Sequence, residues 1–237
     1  MSSAVRHLNL SASSPHFAGL FLIALVAFWP SYLSRLSDHN FYTHLHAAAA
    51  SIWIMFLIVQ PLLIRKRKTE LHRTIGRLSY LFAPFMILSI ILLANSRIQG
   101  LEGEDFTRKT FVLYLQMSLV TLFTLSYVLA IYHRHNVSLH PRFMICTALT
   151  LVDPIVIRLM VWVHSPPSWN YWWVTFGLTD LIFLCLIFLE RRSPQGRWVF
   201  PSMLFIFILA QIPALFELTD AQVWQSFSRW YSGLPLT

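Results

Sequence analysis

Residues 41–64 read FYTHLHAAAASIWIMFLIVQPLLI, 24 positions without one Asp, Glu, Lys or Arg. A bilayer core of roughly 30 Å takes about 20 apolar residues per helix, and this stretch supplies them without a break. A strongly basic segment, RKRKTELHRTIGR at 65–77, closes it. Apolar runs of similar length fall near 17–36, 77–96, 110–132, 143–164, 170–190 and 198–217, which makes seven spans. Only 12% of the 237 residues are charged, whereas soluble domains carry about 25%, and mean hydropathy is +0.58. No length is left for a separate soluble catalytic domain. The expected fold is all-α: a single transmembrane domain over 1–237, built as a seven-helix bundle, with 218–237 as an interfacial tail.

The loops set the orientation. With the N-terminus inside, 12 Lys and Arg lie on the cytoplasmic side and five outside, with Arg158 within a span. The positive-inside rule then predicts an N-in, C-out protein, and helical spans with short loops suit a bacterial inner membrane. Trp162, Trp169, Trp172 and Trp173 cluster at the outer interface, where amphipathic rings prefer to sit. In the tail, Val223, Trp224, Phe227, Trp230 and Tyr231 recur at helical spacing behind Thr219 or Asp220 as a cap, which predicts a short helix on the outer surface. Pro61, Pro84, Pro154 and Pro213 each fall inside a span and are expected to bend it.

Other classes fall away. Cys146 and Cys185 are the only cysteines, both within apolar runs, so neither a disulfide framework nor a thiolate zinc site is expected. The net charge of +8 comes from short loops, which argues for membrane orientation rather than nucleic acid. The single N-terminal arginine, with no small-x-small site after its apolar run, gives no sign of a removable signal peptide. No lysine lies inside a span, which excludes a retinal Schiff base in the last helix. The sequence carries no nucleotide fingerprint, phosphate loop or catalytic triad, so enzyme activity beyond electron transfer is not expected.

Three charges stand inside spans: Asp153, Arg158 and Asp180. An ionised side chain there needs a partner. Asp153 and Arg158 are five apart, about 140° around a helix, so the reading sends Arg158 across to Asp180 on the sixth span. One carboxyl is then left over, to be protonated or supported by another polar group.

The ten histidines also sort by depth. His44, His46 and His164 lie at the outer ends of spans, with His39 beside them; His72, His133, His135 and His140 lie at the inner ends. Two such layers are what a two-haem carrier needs, since haem b takes an imidazole from each of two facing helices. The sharpest functional expectation is therefore a bis-histidine haem b electron-transfer protein, with His44 or His46 facing His164 outside, and His72 or His140 facing His133 or His135 inside. Ala47, Ala48 and Ser51 follow His44 on its own face, where a flat macrocycle could lie. No metal site other than haem iron is indicated.

THLHAAAASIWIMFLIVQPLLIRKRKTELHRTIGRLSYL, followed later by HPRFMICTALTLVDPIVIRL, resembles a family of bacterial multi-pass inner-membrane proteins of unassigned function. Its pattern falls here on His44 or His46, Gln60, His72-Arg73, Gly76-Arg77, His140, Arg142, Phe143-Met144 and Arg158, over residues 41–160. The resemblance implies a shared bundle and no particular activity. Asp153-Pro154 stands where that pattern has small or apolar residues. Paired histidines near both faces give a looser architectural likeness to ascorbate-linked diheme b-type cytochromes.

Two alternatives stand beside the haem reading. One is a proton-linked transporter or small-ligand binder using Asp153, Arg158 and Asp180. The other is a structural or assembly protein whose polar residues only hold the bundle together. The partners expected are the lipid bilayer and an unidentified small ligand or redox partner, with the oligomeric state open.

Overall fold

The computed structural model describes residues 13–163 and 171–237, and these are helical with no strand. The helices are α1 Ser14–Phe28, α2 Phe41–Arg65, α3 Thr69–Ile98, α4 Gly103–Tyr132, α5 Leu139–Leu149, α6 Val152–Val163, α7 Trp172–Glu190, α8 Val199–Leu215 and α9 Gln222–Ser232. Five stretches are long and apolar enough to cross a membrane: α2, α3, α4, α7 and the pair α5–α6 taken as Leu139–Trp162.

The first predicted span, 17–36, is cut short. α1 ends at Phe28 and gives way to a 3-10 segment, Leu33–Asp38, because Pro30 has no N–H for the helix ladder and its ring crowds the carbonyl four residues earlier. Fifteen residues rise only about 22 Å. α8, at 17 residues, is also shorter than the five. α2 starts where the sequence suggests, with Asn40 accepting from the Thr43 N–H at 3.0 Å as its N-cap.

Of the four span prolines, only Pro154 divides its helix. Pro61, Pro84 and Pro213 sit in continuous helices, whereas the fifth span breaks at Thr150-Leu151, four residues ahead of the Pro154 ring. The break changes neighbours. α5 packs on α4, α2 and α8, while α6 packs on α1 and α7.

α2 and α3 run antiparallel. Arg97 at the end of α3 reaches Thr43 at the start of α2, while Gly76 at the start of α3 sits against Gln60 near the end of α2. The core forms where α1 to α6 meet: the Trp53 indole donates to Thr147 at 3.2 Å and packs edge-on against Phe123 and Tyr127. Fully buried Ala27, Ala83 and Ala130 mark close helix approaches. A second core joins α4, α5, α7 and α8 around Phe143, Phe183 and Phe207. Large apolar side chains such as Leu81, Phe188 and Phe205 stay exposed on the perimeter, as bilayer contact requires.

α9 is helical as expected, but it is docked on the bundle. Trp224, Phe227 and Tyr231 pack against Ala94, Ile98, Phe106 and Leu113, and the Trp224 indole donates to the Thr110 carbonyl at 3.0 Å. Val223 and Trp230 face outward. Neither Thr219 nor Asp220 caps it: both belong to a 3-10 turn, Leu218–Asp220, and Ala221 takes the cap position without a side-chain bond.

Candidate functional site

Asp153 sits in the first turn of α6, just past the break, and is buried at 7% exposure. Thr179 of α7, fully buried, donates its hydroxyl to Asp153 Oδ1 at 2.5 Å. Asp180 is the next residue, turned about 100° around α7, so it faces α8, where Gln211 Nε2 donates to its Oδ1 at 3.1 Å. The two carboxyls lie within electrostatic reach of one another. Each is held by one neutral donor.

Arg158 does not join them. The expected bridge to Asp180 is absent because α6 presents Arg158 toward α1 while α7 turns Asp180 toward α8. The Arg158 guanidinium lies over the Phe28 ring, 5.0 Å from its centroid. Its charged neighbours are Arg97 of α3 and His46 of α2, both bases. Arg97 in turn donates to Thr43 Oγ1 at 2.9 Å.

Among the described residues two ion pairs form. Asp105–Arg108 is exposed, and Arg142–Glu190 is buried. Arg142 donates from Nε to Glu190, from Nη1 to Ser138 Oγ at 2.8 Å, and from Nη2 to Ser193 Oγ at 3.1 Å. Gly196, at φ +77°, passes so close that a Cβ there would lie 2.9 Å from Ser138 Oγ and 3.0 Å from Arg142 Nη1. Sequence reasoning placed both charges in loops and missed the pair. The available signal was Glu190, the lone acid in ERRSPQGR.

The histidines are dispersed. His44 Nδ1 meets the Tyr32 hydroxyl at 2.9 Å, with the His39 ring 6.4 Å away. That turns His44 toward the 3-10 segment. His46 Nδ1 lies 3.0 Å from Ser89 Oγ, whose own proton goes to the Met86 carbonyl at 2.7 Å. His46 must therefore donate from Nδ1, which leaves a lone pair on Nε2. His140 donates from Nδ1 to the Ala130 carbonyl at 2.9 Å, with the same result. His72 is the reverse. With the Gln60 amide oxygen accepting from the Gly76 N–H at 3.2 Å, its nitrogen donates to His72 Nδ1 at 2.5 Å, so the proton of His72 is on Nε2. His133 stacks on Phe143 and His135 is exposed in a shallow hollow with Asn136 and Gln195. His164 lies outside the described residues.

A bis-histidine haem needs two imidazoles presenting lone pairs to one iron. His46 and His140, each with its Nε2 lone pair free, are at opposite ends of the bundle. His72 and His140 are neighbours, but His72 presents a proton. The outer pair that the sequence suggests needs His164, outside the described residues, and among the described residues no three His, Cys, Asp or Glu side chains gather into a metal site.

What the arrangement offers instead is a pair of membrane-embedded acids beside a helix break, and, toward the α9 end, a basic group without a carboxylate. No family model matches the chain, and no curated protein or solved structure is significantly similar to it.

Proposed function

We propose that this chain is a proton-linked carrier or binder of a small polar ligand. The proposal places it in a bacterial inner membrane with seven spans, N-terminus inside and C-terminus outside. The five long apolar stretches support the membrane setting, and α1 and α8 complete the seven by local thinning of the bilayer. The excess of Lys and Arg in alternate loops supports the orientation. On it, the α9 end is the outer end.

One observation carries the reading. Asp153 is bonded to Thr179, Asp180 is the next residue of α7, and both lie in apolar stretches without an ion-pair partner among the described residues, each receiving a hydrogen bond from a neutral donor, Thr179 or Gln211. Two ionised carboxylates in that setting would repel each other and lose hydration, so the pair holds a proton. A proton held by neutral donors, next to the joint at Pro154, exchanges when α6 moves on α7. Bundle glue alone does not need a second acid.

Infrared difference spectra across a pH step test this. The expected result is a protonated-carboxyl C=O band that titrates in the native protein and is diminished in Asp153→Asn and in Asp180→Asn. A spectrum without such a band, or one unchanged by both substitutions, would contradict the proposal.

A further inference from the structure

We propose that the outward stripe of α3 headed by Arg73 and Arg77 is a binding site for an anionic phospholipid, with the two guanidiniums on its phosphate and the apolar residues that follow along its acyl chains. The proposal needs only the membrane setting and is independent of the proton reading. Arg73, Arg77, Leu81, Pro84 and Leu88 recur every three or four residues of α3, which puts all five within about 80° of one another around the helix axis. All are exposed, Leu81 at 70% and Leu88 at 51%, and Tyr80, also exposed, borders them. This face of α3 therefore meets lipid rather than another helix.

Depth assigns a role to each part of the stripe. α3 has 30 residues and rises about 45 Å, half as much again as a hydrocarbon core of about 30 Å. Arg77 and Arg97 are 20 residues apart, about 30 Å of helix, so they mark the two edges of that core. Arg73 lies one turn beyond Arg77, about 6 Å further out, in the layer of lipid phosphates. Leu81, Pro84 and Leu88 fall on the hydrocarbon side.

Charge selects the lipid. Among the described residues neither guanidinium has an ion-pair partner, and Glu70, the one acid of α3, is paired with neither. Residues four apart on a helix have Cβ atoms about 5–6 Å apart, so two arginine forks can share one phosphate. The α2–α3 turn adds positive charge beside them. Lys66 and Lys68 fold back onto the end of α2, their N–H groups donating to the Leu62 and Leu63 carbonyls at 2.9 Å, and Arg65, Lys66, Arg67 and Lys68 are all exposed. Such a surface attracts a net negative headgroup and repels the ammonium of a zwitterionic one. A free phosphate would gain nothing from Leu81 and Leu88, so the occupant is a lipid of the adjoining leaflet.

Native mass spectrometry of the full chain, released from a neutral detergent, tests this with dioleoyl phosphatidylglycerol against dioleoyl phosphatidylcholine. One phosphatidylglycerol per chain is expected to bind at least tenfold more tightly than phosphatidylcholine. Arg73→Gln combined with Arg77→Gln should cut that preference to threefold or less, whereas Arg134→Gln, at an exposed base outside α3, should leave it unchanged. If the double variant does not fold, Arg73→Gln alone carries the test, with a loss of severalfold expected. No preference in the native protein, a preference undiminished in the α3 variants, or an equal loss in Arg134→Gln overturns the inference, the last by showing a diffuse charge effect in place of a site.

Discussion

The Thr179 hydroxyl donates to the Asp153 carboxyl at 2.5 Å across the α6–α7 interface. Both residues are buried, so the donor cannot be replaced by water. Thr179→Val keeps the shape and removes the donor. It should destabilise the bundle by about 1–3 kcal/mol, the range for a buried polar group left unsatisfied. Asp153→Asn keeps an acceptor and should change stability by less than about 1 kcal/mol if the carboxyl is neutral. Thermal unfolding in detergent compares the two; a larger loss in Asp153→Asn would mean an ionised Asp153.

The buried Arg142–Glu190 pair predicts strong non-additivity. Breaking it from one side, by Arg142→Met or Glu190→Met, should lower stability by about 3–5 kcal/mol, because each leaves a lone buried charge. The double replacement should recover most of that loss. A double-mutant cycle on thermal unfolding decides it, and additive effects would mean that the two charges do not depend on each other.

The proton-carrier reading predicts a colourless protein. Material expressed with ample haem supply should show no Soret band, before or after dithionite. A Soret band that disappears in His140→Ala would make His140 a haem ligand and would return the electron-transfer reading to first place.

Burial pushes the Tyr231 phenol up to about 12, and its hydroxyl donates to the Ile91 carbonyl at 2.5 Å. The folded state holds this proton more tightly than the unfolded chain, whose phenols titrate near pH 10. The associated stability is fully present below about pH 10 and is lost as pH rises through about 12. α9 should therefore loosen at high pH, read as increased proteolysis after Arg229. Tyr231→Phe should remove that pH dependence and weaken docking by about 0.5–1.5 kcal/mol for the lost hydrogen bond. An unchanged alkaline profile in Tyr231→Phe would assign the loosening to another group.

The helical membrane architecture was legible because it depends on local quantities. The charge-free run at 41–64 acts through the backbone of its own segment, whereas the four span prolines look alike in sequence and only Pro154 divides its helix. α1 was read too long because a hydropathy run passes over Pro30, where the backbone stops. Partner choice was not legible. The five-residue spacing of Asp153 and Arg158 gives their relative rotation, but which face meets α1 or α7 depends on how the kinked span is handed between neighbours. Arg142 and Glu190 were invisible as a pair because 48 residues separate them. His44, His46, His72, His133 and His140 lie near helix ends. Their hydrogen-bond partners, Tyr32, Ser89, Gln60 and Ala130, come from the three-dimensional packing and decide what each imidazole presents.

The central claim is that Asp153 and Asp180 couple a proton to the movement of a small polar ligand. It is tested most directly by luminal pH in proteoliposomes carrying a trapped pH dye, challenged from outside with inorganic phosphate and a series of short carboxylates. At least one anion should acidify the lumen with native protein, and the response should vanish in Asp153→Asn and Asp180→Asn while folding persists. Anion-evoked acidification that is undiminished in both variants, or its absence from native protein under every anion tested, would contradict the account.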